Sequence, residues 1–163
     1  MLDQEIASIM HYIINAASTP TPLNPYYHNI PEDFSTPAVF FPQPEVTSHG
    51  DTLNTYALEF SWFIVFFDKD TQSTHSLALA ALTVLQEKKC VVPRIDEKGQ
   101  SIGRGIRLND PSVRVIDDGA AQLTLNWKSP RPYFRESVEK MMIYHTSIWI
   151  KSAFNSAVNQ IVR

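Results

Sequence analysis

The sequence TYALEFSWFIVFF, residues 55–67, predicts one long β-strand around which the rest of the chain packs. Side chains alternate between the two faces of a sheet, so every second residue shares a face. One face is apolar throughout: Tyr56, Leu58, Phe60, Trp62, Ile64 and Phe66. The other face starts with residues that suit water: Ala57, Glu59 and Ser61. It ends with a second apolar patch that needs cover: Phe63, Val65 and Phe67.

A helix is predicted directly after this strand. Asp68-Lys69-Asp70 interrupts the strand, and Asp70 or Thr71 is a suitable N-cap for a helix of residues 71–89. Lys88 and Lys89 fall in its last turn, where cations suit the helix dipole. Its apolar residues cover much of the circumference, which predicts burial on more than one side: Leu77, Ala78, Ala80, Ala81, Leu82, Val84 and Leu85.

The N-terminal part predicts a helix and then an irregular arm. Residues 2–17 place apolar side chains on one stripe that we expect to dock on a sheet: Ile6, Ile9, Met10, Ile13, Ile14 and Ala17. The arm, residues 18–36, contains four prolines, which oppose regular hydrogen-bonded structure. Four of its side chains are expected to anchor it against this subunit or a neighbour: Tyr26, Tyr27, Ile30 and Phe34.

The remaining residues predict further strands. Residues 37–41 form a short strand at the sheet margin, because the prolines after it cannot donate to a ladder. His49-Gly50-Asp51 then turns the chain into the long strand. Beyond residue 90 the pattern is mostly that of antiparallel strands. The predicted segments are 91–94 and 102–108, which flank a hairpin or projecting loop 95–101, and a second hairpin of 112–117 and 121–127. A strand is predicted over 139–150 and a short helix over 152–162.

Two of these predictions rest on particular residues. The turn of the hairpin is Asp117-Asp118-Gly119, in which Asp-Gly is a strong turn signal. Residues 139–150 alternate as a strand does, although their first residues also suit a helix. The last helix follows from apolar side chains at helical spacing: Phe154, Ala157, Val158 and Ile161.

The composition is that of an ordinary globular protein. The chain has 163 residues, 44% hydrophobic and 19% charged, and we predict a single domain over residues 1–163. Its start is acidic where a secretory signal would be basic, so we expect it to be made and kept in the cytoplasm. Cys90 is the one cysteine, which excludes an internal disulfide, and a buried or half-buried position suits it better than a nucleophilic role.

Charge is distributed unevenly along the chain. Residues 1–87 hold ten acids and one base, a balance of −9, and residues 88–163 hold thirteen bases and seven acids, a balance of +6. If the two halves form different faces, identical copies can meet head to tail, the geometry that closes rings. If the halves interleave in one fold, the charges mix on the surface.

No motif assigns a chemical reaction to the chain. The five histidines lack the spacings of a metal site: His11, His28, His49, His75 and His145. There is no glycine-rich phosphate loop and no G-x-S-x-G elbow. Asp117 and Asp118 are better explained as turn formers than as paired catalytic carboxylates. We therefore predict no catalytic, cofactor-binding or metal-ligating residue.

Basic and aromatic residues concentrate in the second half, a pattern that can indicate nucleic-acid binding. Phosphate contacts need clustered positive charge, and single strands need stacking platforms. The basic residues are Arg94, Lys98, Arg104, Arg107, Arg114, Lys128, Arg131 and Arg135. The whole chain is nevertheless acidic and carries no recognised module, so specific nucleic-acid binding is not favoured.

The order of elements and several phrases resemble the tail terminator, or tail completion, proteins of tailed bacteriophages and prophages. The phrases are PEDFSTPAVFFPQPE (31–45), FFDKD (66–70), LALAALTVL (77–85) and VRVIDDGAAQLTLNWKSPRPY (113–133). The resemblance covers about residues 1–150. It implies a small α+β subunit with a mixed, mostly antiparallel sheet and helices packed on one side.

The resemblance also implies a function. Such subunits form a ring, commonly a hexamer, at the head-proximal end of the tail tube, where the ring stops tube polymerisation and meets the head connector. The implied partners are other copies, the tail tube protein and the head–tail connector protein, with DNA passing through the lumen without specific binding. The implied location is the virion tail, assembled in the bacterial cytoplasm, with no enzymatic activity, cofactor or membrane.

The residues expected at a subunit or partner interface are Tyr26, Tyr27, Phe63, Phe67, Lys98, Arg104, Arg107 and Phe154. Two other functions stay open. The chain could be another head–tail connector or tail structural protein. It could also be a small enzyme with a dispersed site, which a tight pocket with a histidine beside a carboxylate would favour.

Overall fold

The computed structural model describes residues 2–17, 22–27, 29–96 and 98–134. Clustering of the chain gives one unit from Met1 to Pro132 and a second from Tyr133 to Arg163. The predicted strand 139–150, the predicted helix 152–162 and Phe154 lie outside the described residues. The elements of the first unit are α1 (Leu2–Ala17), β1 (Asn24–Tyr27), β2 (Ala38–Phe41), β3 (Glu45–Gly50), β4 (Thr55–Phe67), α2 (Thr71–Glu87), β5 (Val91–Val92), β6 (Ile106–Asp117) and β7 (Ala120–Pro132).

The strands form a seven-stranded sheet in the order β1-β2-β4-β7-β6-β5, and β3 pairs with β4 beside β2. β1 and β2 are parallel, and the other described pairs are antiparallel. β4 and β7 pair along their whole lengths, from Thr55 opposite Pro132 to Phe67 opposite Ala120. Both helices pack on the sheet, so the predicted α+β class is confirmed.

The long strand β4 builds the core as its alternation predicts. Phe60, Trp62, Ile64 and Phe66 are at most 1% exposed and face the helices. Phe60 stacks on Trp127 of β7 with ring centroids 4.5 Å apart. The prediction that Ala57 faces water is wrong, because that side chain is fully buried.

The two helices have the predicted positions with one difference in burial. α1 buries Ile9 and Ile13 completely. α2 buries a single stripe, and the prediction of burial on more than one side is wrong because Leu79 is 44% exposed. The stripe consists of Thr74, Ala78, Ala81 and Leu85. α2 also ends at Glu87, so Lys88 is its C-cap and does not lie in the last turn.

Asp70, one of the two residues predicted as the N-cap, caps α2. Its carboxylate accepts hydrogen bonds from the backbone N–H of Ser73 at 2.8 Å and from the Ser73 hydroxyl at 2.9 Å. These bonds hold the pKa of Asp70 below its ordinary value of 3.8. The charged carboxylate therefore stabilises the fold above pH 3.8, and this contribution is lost as the pH falls through the folded-state pKa.

Thermal unfolding measured against pH should show this dependence. The natural chain should lose more stability in acid than the Asp70→Asn variant, since an asparagine amide oxygen still caps a helix but does not titrate there. The neighbouring Asp68→Asn variant is the control, and its acid profile should follow that of the natural chain. Identical acid profiles for Asp70→Asn and the natural chain would contradict this role.

The arm and the segment before β4 contain strands that the sequence did not predict. Asn24–Tyr27 forms β1 in spite of Pro25, because β1 is an edge strand where a missing N–H is tolerated. Glu45–Gly50 forms β3, so the turn into β4 lies at residues 51–54 and not at His49-Gly50-Asp51. β2 and β3 thus share one edge of β4, separated by residues 42–44.

The second half keeps the predicted hairpins but changes their lengths. β6 and β7 meet at a turn whose Gly119 has a φ of +71°, which confirms the Asp-Gly signal. The predicted strand 102–108 is wrong at its start, since only Ile106 and Arg107 pair with β5. From Ile106, β6 continues to Asp117 through an irregularity between Asn109 and Ser112.

Candidate assembly surface

The described residues expected at an interface fall into two groups on different strands of the sheet. Tyr26, Tyr27, Phe63 and Phe67 belong to β1 and β4. Lys98, Arg104 and Arg107 lie around the β5–β6 edge. The sheet order separates β1 from β6 by three strands, so the aromatic and basic groups form two separate surfaces.

The first surface is an apolar patch on the sheet face that the helices leave open. Tyr26, Phe40 and Val65 are paired in register across β1, β2 and β4, so their side chains share this face. Phe34 of the arm bridges the patch, with its ring 6.3 Å from Tyr26 and 5.1 Å from Phe67. All its members are half-buried. We call this the outer apolar patch: Tyr26, Phe34, Phe40, Phe63, Val65 and Phe67.

Tyr27 lies beside this patch on the opposite face of β1. Its ring stacks on Phe41 at 5.8 Å, and Phe41 contacts Trp62 at 5.7 Å. Tyr27 is 45% exposed, so one side of its ring closes the core while the other meets solvent. The predicted anchoring of the arm by Tyr26, Tyr27 and Phe34 therefore takes place on the same subunit.

The second surface is basic and is built on turns. The loop 95–101 is closed by the Asp96 carboxylate, which accepts from the backbone N–H groups of Lys98 at 2.9 Å and Gln100 at 2.8 Å. Lys98 and Arg104 are exposed in turns, and Arg107 is exposed on β6 opposite Val91. An antiparallel bridge between Ile95 and Ser101 pairs the two ends of the loop, as in a hairpin.

Helix α1 holds the base of this loop through polar side chains. Ser8 Oγ donates to the Gln4 carbonyl at 2.6 Å and accepts from the Ile95 N–H at 3.1 Å. Gln4 Nε2 donates to the Ile95 carbonyl at 3.2 Å. Ser8 is 1% exposed, and the hydrogen bonds that tie the loop to α1 are partly buried.

A buried carboxylate lies next to this anchor. Glu5 is 1% exposed and accepts from Arg94 Nη2 at 2.5 Å, Ser129 Oγ at 2.9 Å and Trp127 Nε1 at 3.2 Å. Arg131 Nη2 lies 3.8 Å from the same carboxylate. Glu5 thus joins α1, β7 and the start of the loop 95–101 in one network, which is a structural role.

Sequence reasoning missed Glu5 and Ser8, although a signal for Glu5 exists. Glu5 precedes Ile9 and Ile13 by one and two turns, so a straight helix places all three on one stripe. An acid on an apolar stripe predicts a buried ion pair. Its partners could not be named, because Arg94 and Arg131 are 89 and more residues away along the chain.

The polar side-chain pairs found on the surface of the described residues lie in the open and do not form an enclosed catalytic site. His49 Nε2 lies 3.5 Å from Glu59 Oε1, with both side chains about half exposed. The hydrogen bond from Lys128 Nζ to Asp51 Oδ1, 2.6 Å long, lowers the pKa of Asp51 and raises that of Lys128.

Within residues 2–134, as far as they are described, no three His, Cys, Asp or Glu side chains are grouped to hold a metal ion. No described helix is long and apolar enough to cross a membrane.

The similarity of the chain to known proteins defines its family. No protein-family model matches it. The chain belongs to the family of YqbJ, an uncharacterized protein of Bacillus subtilis (strain 168), to which it is 32% identical over 135 residues, 83% of this chain and 90% of YqbJ. XkdJ, a protein of the phage-like element PBSX of the same organism, is 25% identical over 141 residues, 86% of this chain and 93% of XkdJ.

A match was also found among solved structures. It is a chain from the virion of a native gene transfer agent particle, with a TM-score of 0.44 and 12% sequence identity over 78% of this chain and 93% of that chain.

Proposed function

We propose that this chain is a structural protein of a phage or phage-like element and, within that class, a tail terminator. The relationship to XkdJ, whose name places it in a phage-like element, supports the broader assignment. The terminator role rests on the resemblance in element order and sequence phrases. In this role a ring of copies, commonly six, caps the head-proximal end of the tail tube.

The observation that carries the ring is the placement of two unlike surfaces on different parts of one sheet. The outer apolar patch lies over β1, β2 and β4, and the basic turns surround β5 and β6. The arm that contributes Phe34 to the patch also exposes the acids Glu32 and Asp33, which can meet the basic turns of a neighbour. A contact between unlike surfaces is head to tail, and it closes a ring when its rotation permits. In a single copy, neither surface is in contact with another subunit.

The proposed contacts follow from these surfaces. Tyr26, Phe63 and Phe67 face the neighbouring copy, and the loop 95–101 with Lys98 at its tip reaches the tail tube protein or the head–tail connector protein. Phe154, which lies outside the described residues, is proposed to contact an adjacent subunit. DNA passes through the lumen of the ring without sequence-specific contact.

The relationship to XkdJ supports another head–tail connector or tail structural protein to the same degree. Such a protein would bind the connector or tube without limiting tube length. The enzymatic alternative has less support from the described residues, since the histidine beside a carboxylate, His49 next to Glu59, lies on the exposed sheet surface.

Reversing the charge of the basic turns should weaken assembly. In the Arg104→Glu/Arg107→Glu variant, two exposed cations become acids on a surface expected to meet the acidic part of a neighbour. We expect the ring fraction to fall about tenfold or more, which corresponds to about 1.4 kcal/mol of association free energy. The unfolding midpoint should stay unchanged, because both side chains are exposed.

Lys69→Glu is the control for this variant, since Lys69 is an exposed cation in the turn before α2. Its ring fraction should equal that of the natural chain. An unchanged ring mass in the Arg104→Glu/Arg107→Glu variant would count against the placement of the basic turns in the interface.

The ring itself is tested by light scattering after size exclusion, with negative-stain images of the same peak. The expected particle is a closed ring with a hole wide enough for duplex DNA. A dimer that closes on itself would contradict the proposal, because its self-complementary interface leaves no surface for ring growth.

A further inference from the structure

A polar cleft lies between the C-terminal end of α2 and strand β6. It has a volume of about 360 Å³, and its lining includes Gln86, Lys89, Cys90, Arg107, Asn109 and Asp110. The backbone closes its floor, since the Leu108 N–H donates to the Cys90 carbonyl at 2.8 Å. The cleft is therefore a fixed depression at the β5–β6 edge, formed by two elements that are hydrogen-bonded to each other.

Backbone strain is concentrated around this cleft. Among the described residues, three that are not glycine have a positive φ: Lys89 at 55°, Cys90 at 56° and Asp110 at 43°. All three line the cleft. Such conformations are unfavourable for residues with a side chain and cluster at functional sites. The change of chain direction after α2 accounts for the positive φ of Lys89 and Cys90. The bulge of β6 at Asp110 is a separate feature that lines the same cleft.

The cations of the cleft have no acidic partner within the described part of the chain. Lys89 and Arg107 are exposed, and neither is in an ion pair there. Gln86 and Asn109 add amide donors beside them. Two cations and two amides around one depression suit carboxylate groups, whose oxygens accept from both kinds of donor.

Two acids are presented on the part of the sheet formed by β1, β2 and β4. Glu32 and Asp33 form an exposed turn of the arm between β1 and β2 and have no ion-pair partner among the described residues. Phe34 follows them directly and fixes the arm against Tyr26 and Phe67. The turn is thus held in place with both acidic residues exposed. Because the turn belongs to the β1–β2–β4 part of the sheet and the cleft to its β5–β6 edge, a second copy can join one to the other.

We propose that the cleft between α2 and β6 receives the Glu32–Asp33 turn of a second copy of this chain. This inference rests on the proposed function, since it specifies one contact of the ring. The outer apolar patch then lies beside the same contact, because Phe34 belongs to both. Asp110 on the rim opposes any anion, so the turn is preferred over a phosphate group of DNA for another reason: Phe34 holds the turn in place beside the outer apolar patch.

The single native cysteine makes a direct test possible. In an Asp33→Cys variant, oxidation should join the introduced thiol of one copy to Cys90 of the next, provided that their Cα atoms approach within about 7 Å. Each copy then has two different reactive positions, so a non-reducing gel should show a ladder beyond the dimer. The expected ladder stops at the number of copies in the ring.

Two variants separate this link from other crosslinks. Asp33→Cys with Cys90→Ala can join only equal positions, so it should stop at a dimer. Glu45→Cys places the new thiol on the exposed strand β3 at the same sheet edge and should give no ladder. An Asp33→Cys sample that stops at the dimer, or a Glu45→Cys sample with an equal ladder, would overturn the inference.

Charge reversal gives a second readout that does not depend on oxidation. Glu32→Lys/Asp33→Lys alone and Lys89→Glu/Arg107→Glu alone should each reduce the ring fraction about tenfold, and their combination in one chain should restore it. Loss without restoration would contradict the pairing of turn and cleft. A ring that forms with none of these effects would refute this contact and leave the terminator proposal intact, whereas the absence of any ring would count against both.

Discussion

Replacing Glu5 by alanine should lower the free energy of unfolding by about 3–5 kcal/mol, the loss found when one member of a buried ion pair is removed. The carboxylate is 2% exposed and lies against the guanidinium groups of Arg94 and Arg131. Without it, both cations keep their charge but lose their acidic partner. Trp127 Nε1 and Ser129 Oγ lose their acceptor as well.

The network has little capacity to compensate for this loss. Arg94 Nε and Arg131 Nε are buried and already lack a hydrogen-bond partner. Urea unfolding of Glu5→Ala, Glu5→Gln and the natural chain should therefore rank the three in that order of increasing stability, because the single amide oxygen of glutamine can still accept from one of the two donors, Trp127 Nε1 or Ser129 Oγ. Glu45→Ala is the control for removal of an exposed acid and should change stability by less than about 0.5 kcal/mol. A loss below about 1 kcal/mol for Glu5→Ala would contradict the structural role of this network.

Replacing Trp62 by alanine should have an effect of similar size, about 3–5 kcal/mol. The indole is fully buried and contacts Phe41 at 5.7 Å and Trp127 at 6.0 Å. Its Nε1 donates to the Pro42 carbonyl at 2.6 Å, which ties the break between β2 and β3 to the core. Alanine would remove both the packing and this donor.

Trp62→Phe separates the two contributions. It keeps an aromatic ring in the core but leaves the Pro42 carbonyl without its donor, so a loss of about 1–3 kcal/mol is expected. Leu79→Ala, on the exposed side of α2, is the control and should be close to neutral. If Trp62→Ala were no more destabilising than Trp62→Phe, the packing of the indole would not be what stabilises this region.

The fold was largely predictable because hydrophobic periodicity and turn-forming residues can be read from short stretches of sequence. The alternation of residues 55–67 and the Asp-Gly turn at Gly119 fix the β4 and β6–β7 strands. The errors arose where distant partners decide the structure. β1 exists because an edge of β2 is available to it, and β3 because β4 extends past the end of β2. Pro25 and the polar sequence of β3 give no local sign of either pairing.

The candidate surfaces were less predictable than the fold. Tyr26 and Phe67 were expected at an interface individually, but their connection through Phe34 depends on the path of the arm. The cleft at Arg107 depends on the strained backbone at Lys89 and Asp110. Lys89 carries no turn signal, and although Asp110-Pro111 does, it does not show that the two positions meet at one cleft. Their roles in assembly stay predictions until variants are measured.

Termination itself can be observed on tubes. Tail tube protein from the same phage-like element should be polymerised with and without this chain, and the tubes imaged by negative-stain electron microscopy. We predict that tubes formed with the chain are shorter, and that each carries a ring of about six copies at one end. Tubes of unchanged length with bare ends would contradict the assignment of this protein as a tail terminator.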